Sequence, residues 1–92
     1  MIFVSFGRFR KKPTKEMIDE PSSQTATVVK EMAKEGIKVL SWHWTLGRYD
    51  TVVIAEATDE KTFMKAMIGL NDFVATETMV AVPREEAIRL VE

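Results

Sequence analysis

Ser41-Trp42-His43-Trp44-Thr45-Leu46-Gly47-Arg48-Tyr49-Asp50 is the stretch on which the fold turns. It holds both tryptophans, the single histidine and the single tyrosine of the chain. It reads as a strand, a tight turn at Gly47-Arg48 and the start of a second strand. Extended outward, strand two covers Ile37 to Thr45. Strand three covers Tyr49 to Ala57 and contains the run Val52-Val53-Ile54-Ala55. A two-residue turn sets Trp44 opposite Thr51, Trp42 opposite Val53 and Leu40 opposite Ala55. Large side chains then oppose small ones, as cores and interfaces require. Ser41 and His43 fall on the other face, beside Val52 and Ile54.

On the N-terminal side of this hairpin, Ala26, Val29, Met32 and Ala33 recur at helical spacing. Pro21 suits a first helical position and Gly36 a left-handed stop, so the spacing predicts a helix over 21–35. A charged loop, Lys11 to Glu20, separates it from strand one, Ile2 to Arg10. That strand is apolar on both faces, with Ile2, Val4 and Phe6 on one and Phe3 and Phe9 on the other, as expected of a central strand. On the C-terminal side, Thr58 reads as an N-cap, with Asp59 and Glu60 in the first turn. Phe63, Ala66, Met67 and Leu70 then form a second stripe that stops near Gly69 and Asn71. Phe73 to Val82 is strand four. Pro83 opens a short terminal helix through Glu92.

The order β-α-β-β-α-β plus a small helix, with right-handed crossovers, is an α+β ferredoxin-like domain over residues 1–92. It predicts a four-stranded antiparallel sheet with strands one and three in the centre and both long helices on one face. The other face also carries large apolar groups. A sheet face of that kind calls for a partner, and a homodimer packed sheet to sheet, or a higher oligomer, is expected.

Composition narrows the function classes. The 92 residues make one domain with a single thin core. A net charge of -1, from 13 basic and 14 acidic residues, gives no general attraction to nucleic acid or to an anionic membrane. The absence of cysteine excludes disulfides, zinc–thiolate sites, iron–sulfur clusters and thiol catalysis. With one histidine and scattered glycines, no metal centre, phosphate loop or dinucleotide cofactor is expected. The N-terminus lacks a basic leader and no window approaches a membrane span, so a cytoplasmic protein is expected. Ile2 to Gly7, followed by Arg8, Arg10, Lys11, Lys12 and Lys15, looks like the first strand of RNA-recognition domains. Strand three lacks their aromatic stacking motif, which argues against nucleic acid.

Trp44-Thr45-Leu46-Gly47-Arg48-Tyr49-Asp50 followed by Thr51-Val52-Val53 resembles the signature of the GYD domain family, named for Gly-x-Tyr-Asp. The basic turn after strand one, the Met32-Ala33 helix ending at Gly36, Thr76-Glu77-Thr78 and Pro83-Arg84-Glu85-Glu86 extend the resemblance over nearly the whole chain. It implies a ferredoxin-like, dimeric α+β barrel architecture. Related barrels host cofactor-free monooxygenases, small isomerases, haem proteins and ligand-sensing domains, an analogy of fold alone.

The candidate residues each carry two readings. Gly47-Arg48-Tyr49-Asp50 is first a hairpin turn, with Gly47 at positive φ, Asp50 accepting N–H bonds and Tyr49 packing across strands. Alternatively Arg48, Tyr49 and Asp50 form the polar rim of a ligand pocket that Trp42 and Trp44 help to line. His43 is a core or interface histidine, or an acid/base group. Glu77 would be its natural partner, but the two lie on opposite sheet edges, about 14 Å apart. Met32, Met64, Met67 and Met79 offer adaptable walls for a cleft. The leading expectation is a homo-oligomer that binds a small, largely apolar ligand beside the sheet. The alternatives are a cofactor-independent enzyme, monooxygenase- or isomerase-like, acting on a small aromatic or carbonyl compound, and a structural assembly module.

Overall fold

A computed structural model describes residues 1–11, 24–72 and 74–92, with residues 24–27 described by their backbone. The elements are β1 (Ile2–Phe9), α1 (Gln24–Lys34), β2 (Lys38–Trp44), β3 (Thr51–Glu56), α2 (Glu60–Leu70), β4 (Val74–Ala81) and α3 (Arg84–Leu90). The sheet order is β2-β3-β1-β4, with every neighbouring pair antiparallel. This is the ferredoxin-like order expected from the sequence. The expected helix start at Pro21, the loop over 12–20 and the strand start at Phe73 lie outside the described residues.

Local chemistry sets the element ends. Gly36 takes φ 85°. Its N–H donates to the Ala33 carbonyl at 3.0 Å, and the Ile37 N–H donates to the Met32 carbonyl at 2.9 Å. The two bonds satisfy the last carbonyls of α1, and a left-handed residue is needed to make them. At α2 the N-cap is Asp59 rather than Thr58: its Oδ1 accepts the Thr62 N–H at 2.8 Å. Asp59 stands three residues before Thr62, the reach a capping side chain requires. The buried stripe of α1 is also turned slightly from the expected one. Val28 and Met32 are buried, Val29 is half-buried and Ala33 is exposed.

The hairpin closes with Thr45 N–H donating to the Asp50 carbonyl at 2.8 Å and Thr45 Oγ1 donating to the Tyr49 carbonyl at 2.6 Å. Gly47 sits at φ 106°. β2 ends at Trp44 and β3 begins at Thr51, so the connection is a longer bend than the expected two-residue turn at Gly47-Arg48. It keeps the same register, and Trp44 pairs with Thr51 and Trp42 with Val53 as expected. Leu40 does not pair with Ala55. The register shifts between Val39 and Ser41, so Val39 takes that place and Leu40 is the extra residue of a bulge. With no partner opposite, Leu40 is exposed.

The register divides the sheet into two faces. Toward the helices point Phe3, Ser5, Gly7, Val39, Trp42, Thr51, Val53, Ala55 and Val74. Phe3 stacks on Phe63 of α2, ring centroids 4.4 Å apart and nearly parallel. Phe3, Ile37, Ala55 and Phe63 are buried, with Met32 and Val28 of α1 closing the core. Away from the helices point Ile2, Val4, Phe6, Val52 and Ile54, each half-buried, and exposed Met79.

Candidate functional site

A cavity of about 50 Å³ lies between the sheet and the two long helices. Met32, Phe63, Met67 and Leu70 form its walls, and Ser5, Gly7, Trp42 and Thr51 its floor. The floor is shaped by an absence. A Cβ on Gly7 would stand 2.9 Å from Thr51 Oγ1 and 3.1 Å from a Val74 methyl, so only glycine fits beside these neighbours. Ser5 Oγ is already engaged, 3.0 Å from Thr78 Oγ1 and donating to Met67 Sδ at 3.7 Å. Trp42 is different. Its indole Nε1 is buried and meets no acceptor among the described residues. An unpaired buried donor costs about 1–3 kcal/mol, and such groups are few in native structures. The sequence separates the two tryptophans from His43 by face, but the donor left without an acceptor among the described residues depends on how the two long helices pack on the sheet and has no local signal.

Trp44, one step along the same face, lies outside this cavity. It is half-exposed and stacks on Phe9 at 5.4 Å. Of the four methionines offered as cleft walls, Met32 and Met67 line the cavity. Met64 and Met79 do not: Met64 is exposed on α2 and Met79 on the far face of the sheet. The α2 stripe directs Met67 inward, whereas Met64 follows Phe63 around the helix to the solvent side.

The hairpin residues divide their work. Asp50 Oδ2 accepts the Phe9 N–H at 2.8 Å, and the Asp50 N–H donates to the Gly7 carbonyl at 2.8 Å. Asp50 therefore ties the turn to the end of β1. Tyr49 packs on Phe6 with ring centroids 5.1 Å apart. Arg48 presents its carbonyl to Arg8, whose Nε and Nη2 donate to it at 2.9 and 2.7 Å. Arg10 clamps Asn71 in the same manner, through its carbonyl at 2.6 Å and Oδ1 at 2.9 Å. Two members of the basic cluster thus pin distant backbone, while Lys12 and Lys15 lie outside the described residues. Arg8, Arg48, Tyr49, Ala75, Thr76 and Glu77 together line an open groove of about 430 Å³ at one end of the sheet.

His43 and Glu77 occupy the two ends of one row across the helix-free face: His43 pairs with Val52, Val52 with Phe6 and Phe6 with Glu77. Both ends are exposed. Three strand spacings, about 14 Å, separate them, so one chain does not bring them together. Five of the seven predicted site residues therefore fall into three places, while Trp44, stacked on Phe9, and Asp50, bonded to the end of β1, hold the hairpin itself. Trp42 is at the inner cavity, Arg48, Tyr49 and Glu77 are at the groove, and His43 is alone at the opposite edge. Among the described residues, no cluster of three His, Cys, Asp or Glu side chains is placed to hold a metal ion. No described helix is long and apolar enough to cross a membrane.

Comparison with known proteins gives one match. The family model of the GYD domain covers residues 3–91, nearly the whole chain. No curated protein and no solved structure matches this chain.

Proposed function

We propose that this chain, a member of the GYD domain family, is a small-molecule-binding domain that works as a homodimer. The observation that carries the ligand reading is the Trp42 Nε1, buried with no acceptor among the described residues, on a side chain that lines an apolar cavity. A ligand that suits it is small and largely apolar, with one oxygen or nitrogen acceptor for the indole N–H. The cavity of about 50 Å³ exceeds what one water needs, about 10–15 Å³, and falls short of the ~150 Å³ that takes up benzene. Side-chain movement of Met32 and Met67, both unbranched and adaptable, provides room for more.

Assembly is supported by the helix-free face. Ile2, Val4, Phe6, Val52, Ile54 and Met79 form an apolar field that no described element of the chain covers. The apolar residues Ile88, Leu90 and Val91 at and after α3 are likewise exposed. Exposed apolar surface of this kind marks an interface, and cytoplasmic residence is compatible with a chain free of cysteine.

Native mass spectrometry of freshly purified protein, with a denatured control, tests both parts. The expected species is a dimer carrying extra mass that is lost on denaturation and lost in Trp42→Phe. A dimer at the bare polypeptide mass, with a Trp42 indole N–H resonance that no member of a small ketone and ether set moves, overturns the ligand reading. A monomer at micromolar concentration overturns the assembly.

A further inference from the structure

We infer that the two edges of the open sheet face form one polar site across the dimer, with His43 of one chain set against Glu77 of its partner. The inference rests on the homodimer reading above. It starts from three cross-strand rows on the open face: His43–Val52–Phe6–Glu77, Ser41–Ile54–Val4–Met79 and Lys38–Glu56–Ile2–Ala81.

Two sheets that meet face to face around a two-fold axis have two simple choices. An axis parallel to the strands lays each row on its own reverse. The partner's Val52 then meets Phe6, and the partner's Ile54 meets Val4, so the central apolar positions cover one another. At the edges, the partner's His43 faces Glu77, and the same contact recurs at the opposite seam. An axis across the strands sets each strand on its own copy and interchanges the first and third rows. His43 then meets the partner's Lys38, and Glu77 meets the partner's Ala81. The first choice pairs the imidazole with a carboxylate, and in the third row it sets Lys38 against Ala81 and Glu56 against Ile2. The second sets the imidazole against an ammonium, leaves the Glu77 carboxylate without a polar partner and still sets Glu56 against an apolar residue, Val52. Complementarity of this kind fixes register between partners. Packed sheets stand about 10 Å apart, a gap that an imidazole and a glutamate side chain reaching from opposite sides together span.

The pairing completes a site that each chain holds in part. Glu77 lines the groove with Arg8, Arg48 and Tyr49, and this set lacks an imidazole. The partner's His43 supplies it. An imidazole steered by a carboxylate, beside a phenol and a guanidinium, is the equipment for moving a proton on a small carbonyl compound. The imidazole takes a C–H proton, Tyr49 and Arg48 face the enolate oxygen, and the proton returns at another carbon, so no oxidant or cofactor enters the balance.

The chain has no cysteine, so introduced thiols are unique labels. His43→Cys and Glu77→Cys chains, one of them tagged, are mixed, allowed to exchange and treated with a bis-methanethiosulfonate reagent carrying a two-carbon spacer. Both positions are exposed in the single chain, so circular dichroism of each variant is expected to match the parent. The expected product is the mixed 43–77 cross-linked dimer, in large excess over 43–43 and 77–77 products. A dimer by native mass spectrometry that gives 43–43 and 77–77 products, or no cross-link, overturns the composite site and leaves the dimer standing. A monomer overturns the dimer, and this inference with it.

Discussion

Phe3 and Phe6 stand three residues apart on β1 and face opposite ways. Phe3 is 3% exposed and stacked on Phe63. Phe6 stays half-buried, with the Tyr49 ring packed against it. The same contrast runs through the whole sheet. One face finds its cover within the chain, in Val28, Met32, Phe63 and Met67. The other holds Ile2, Val4, Val52 and Ile54 in a similar apolar field with no described cover. An alternating strand with two apolar faces has two burial problems, and a 92-residue chain with two long helices solves one. On the homodimer proposed above, stability and assembly are read from opposite faces of the same strands, so substitutions that look alike should report on different equilibria.

The largest expected effect comes from the pair Phe63→Ala and Phe6→Ala. Phe63 is 1% exposed, and truncating a buried phenylalanine costs about 3–5 kcal/mol. That is a large share of the ~5–15 kcal/mol that holds a small domain together. Urea unfolding at low protein concentration should show that loss for Phe63→Ala and a much smaller one for Phe6→Ala. Sedimentation should show the reverse: Phe6→Ala weakens the dimer by about thirtyfold or more, the ~2 kcal/mol of a central interface anchor. If Phe6→Ala costs the monomer as much as Phe63→Ala does, the two faces are not divided in this way.

Asp50 gives a smaller effect and sharpens the boundary between them. Its carboxylate holds the Phe9 N–H at the end of β1, and removing the charged acceptor from such a bond costs about 1.5–3 kcal/mol. Asp50→Ala is therefore expected to lower the unfolding free energy from urea titration by that amount, while Asp50→Asn, which keeps an acceptor, loses less. The dimer and any bound mass should survive both changes in native mass spectrometry. Loss of bound mass with no loss of stability would instead make Asp50 part of a ligand rim.

The sequence makes the division legible because alternation is a two-residue signal. Ile2, Val4 and Phe6 separate from Phe3 and Phe9 by parity alone, and the four-strand order follows from element order and crossover hand. The features that escape it depend on counting or on distance. The bulge at Leu40 is one extra residue inside Val39-Leu40, where either residue is apolar enough to face inward. Thr58 and Asp59 are both good caps, and only the placement of Thr62 distinguishes them. Arg8 and Arg10 read as solvated basic residues because their acceptors, the carbonyls of Arg48 and Asn71, lie 40 and 61 positions away and carry no side-chain signature. The unpaired Trp42 Nε1 is a product of packing: the same residue with an acceptor on α1 or α2 would leave the pattern of the strand unchanged.

The smallest expected effect tests the helix layer alone. The Asp59 carboxylate is held below its ordinary pKa of 3.8, chiefly by the Thr62 backbone N–H and then by the Thr62 hydroxyl. A depressed carboxylate adds stability that is fully present above the unfolded value and is lost as pH falls through the folded one. Titrating from pH 5 downward should therefore erode this part of the stability only below about pH 4. Asn caps a helix about as well as Asp but does not titrate there. The urea midpoints of the parent and Asp59→Asn should thus converge as pH falls through that range, with the parent the higher of the two above it. Because Asp59 opens α2 on the covered side of the sheet, the dimer dissociation constants of the two proteins should superimpose throughout. A midpoint difference that widens on acidification would remove the charged cap from the account of α2. A shift in dimerisation would mean that the α2 start takes part in the interface, which the division between faces forbids.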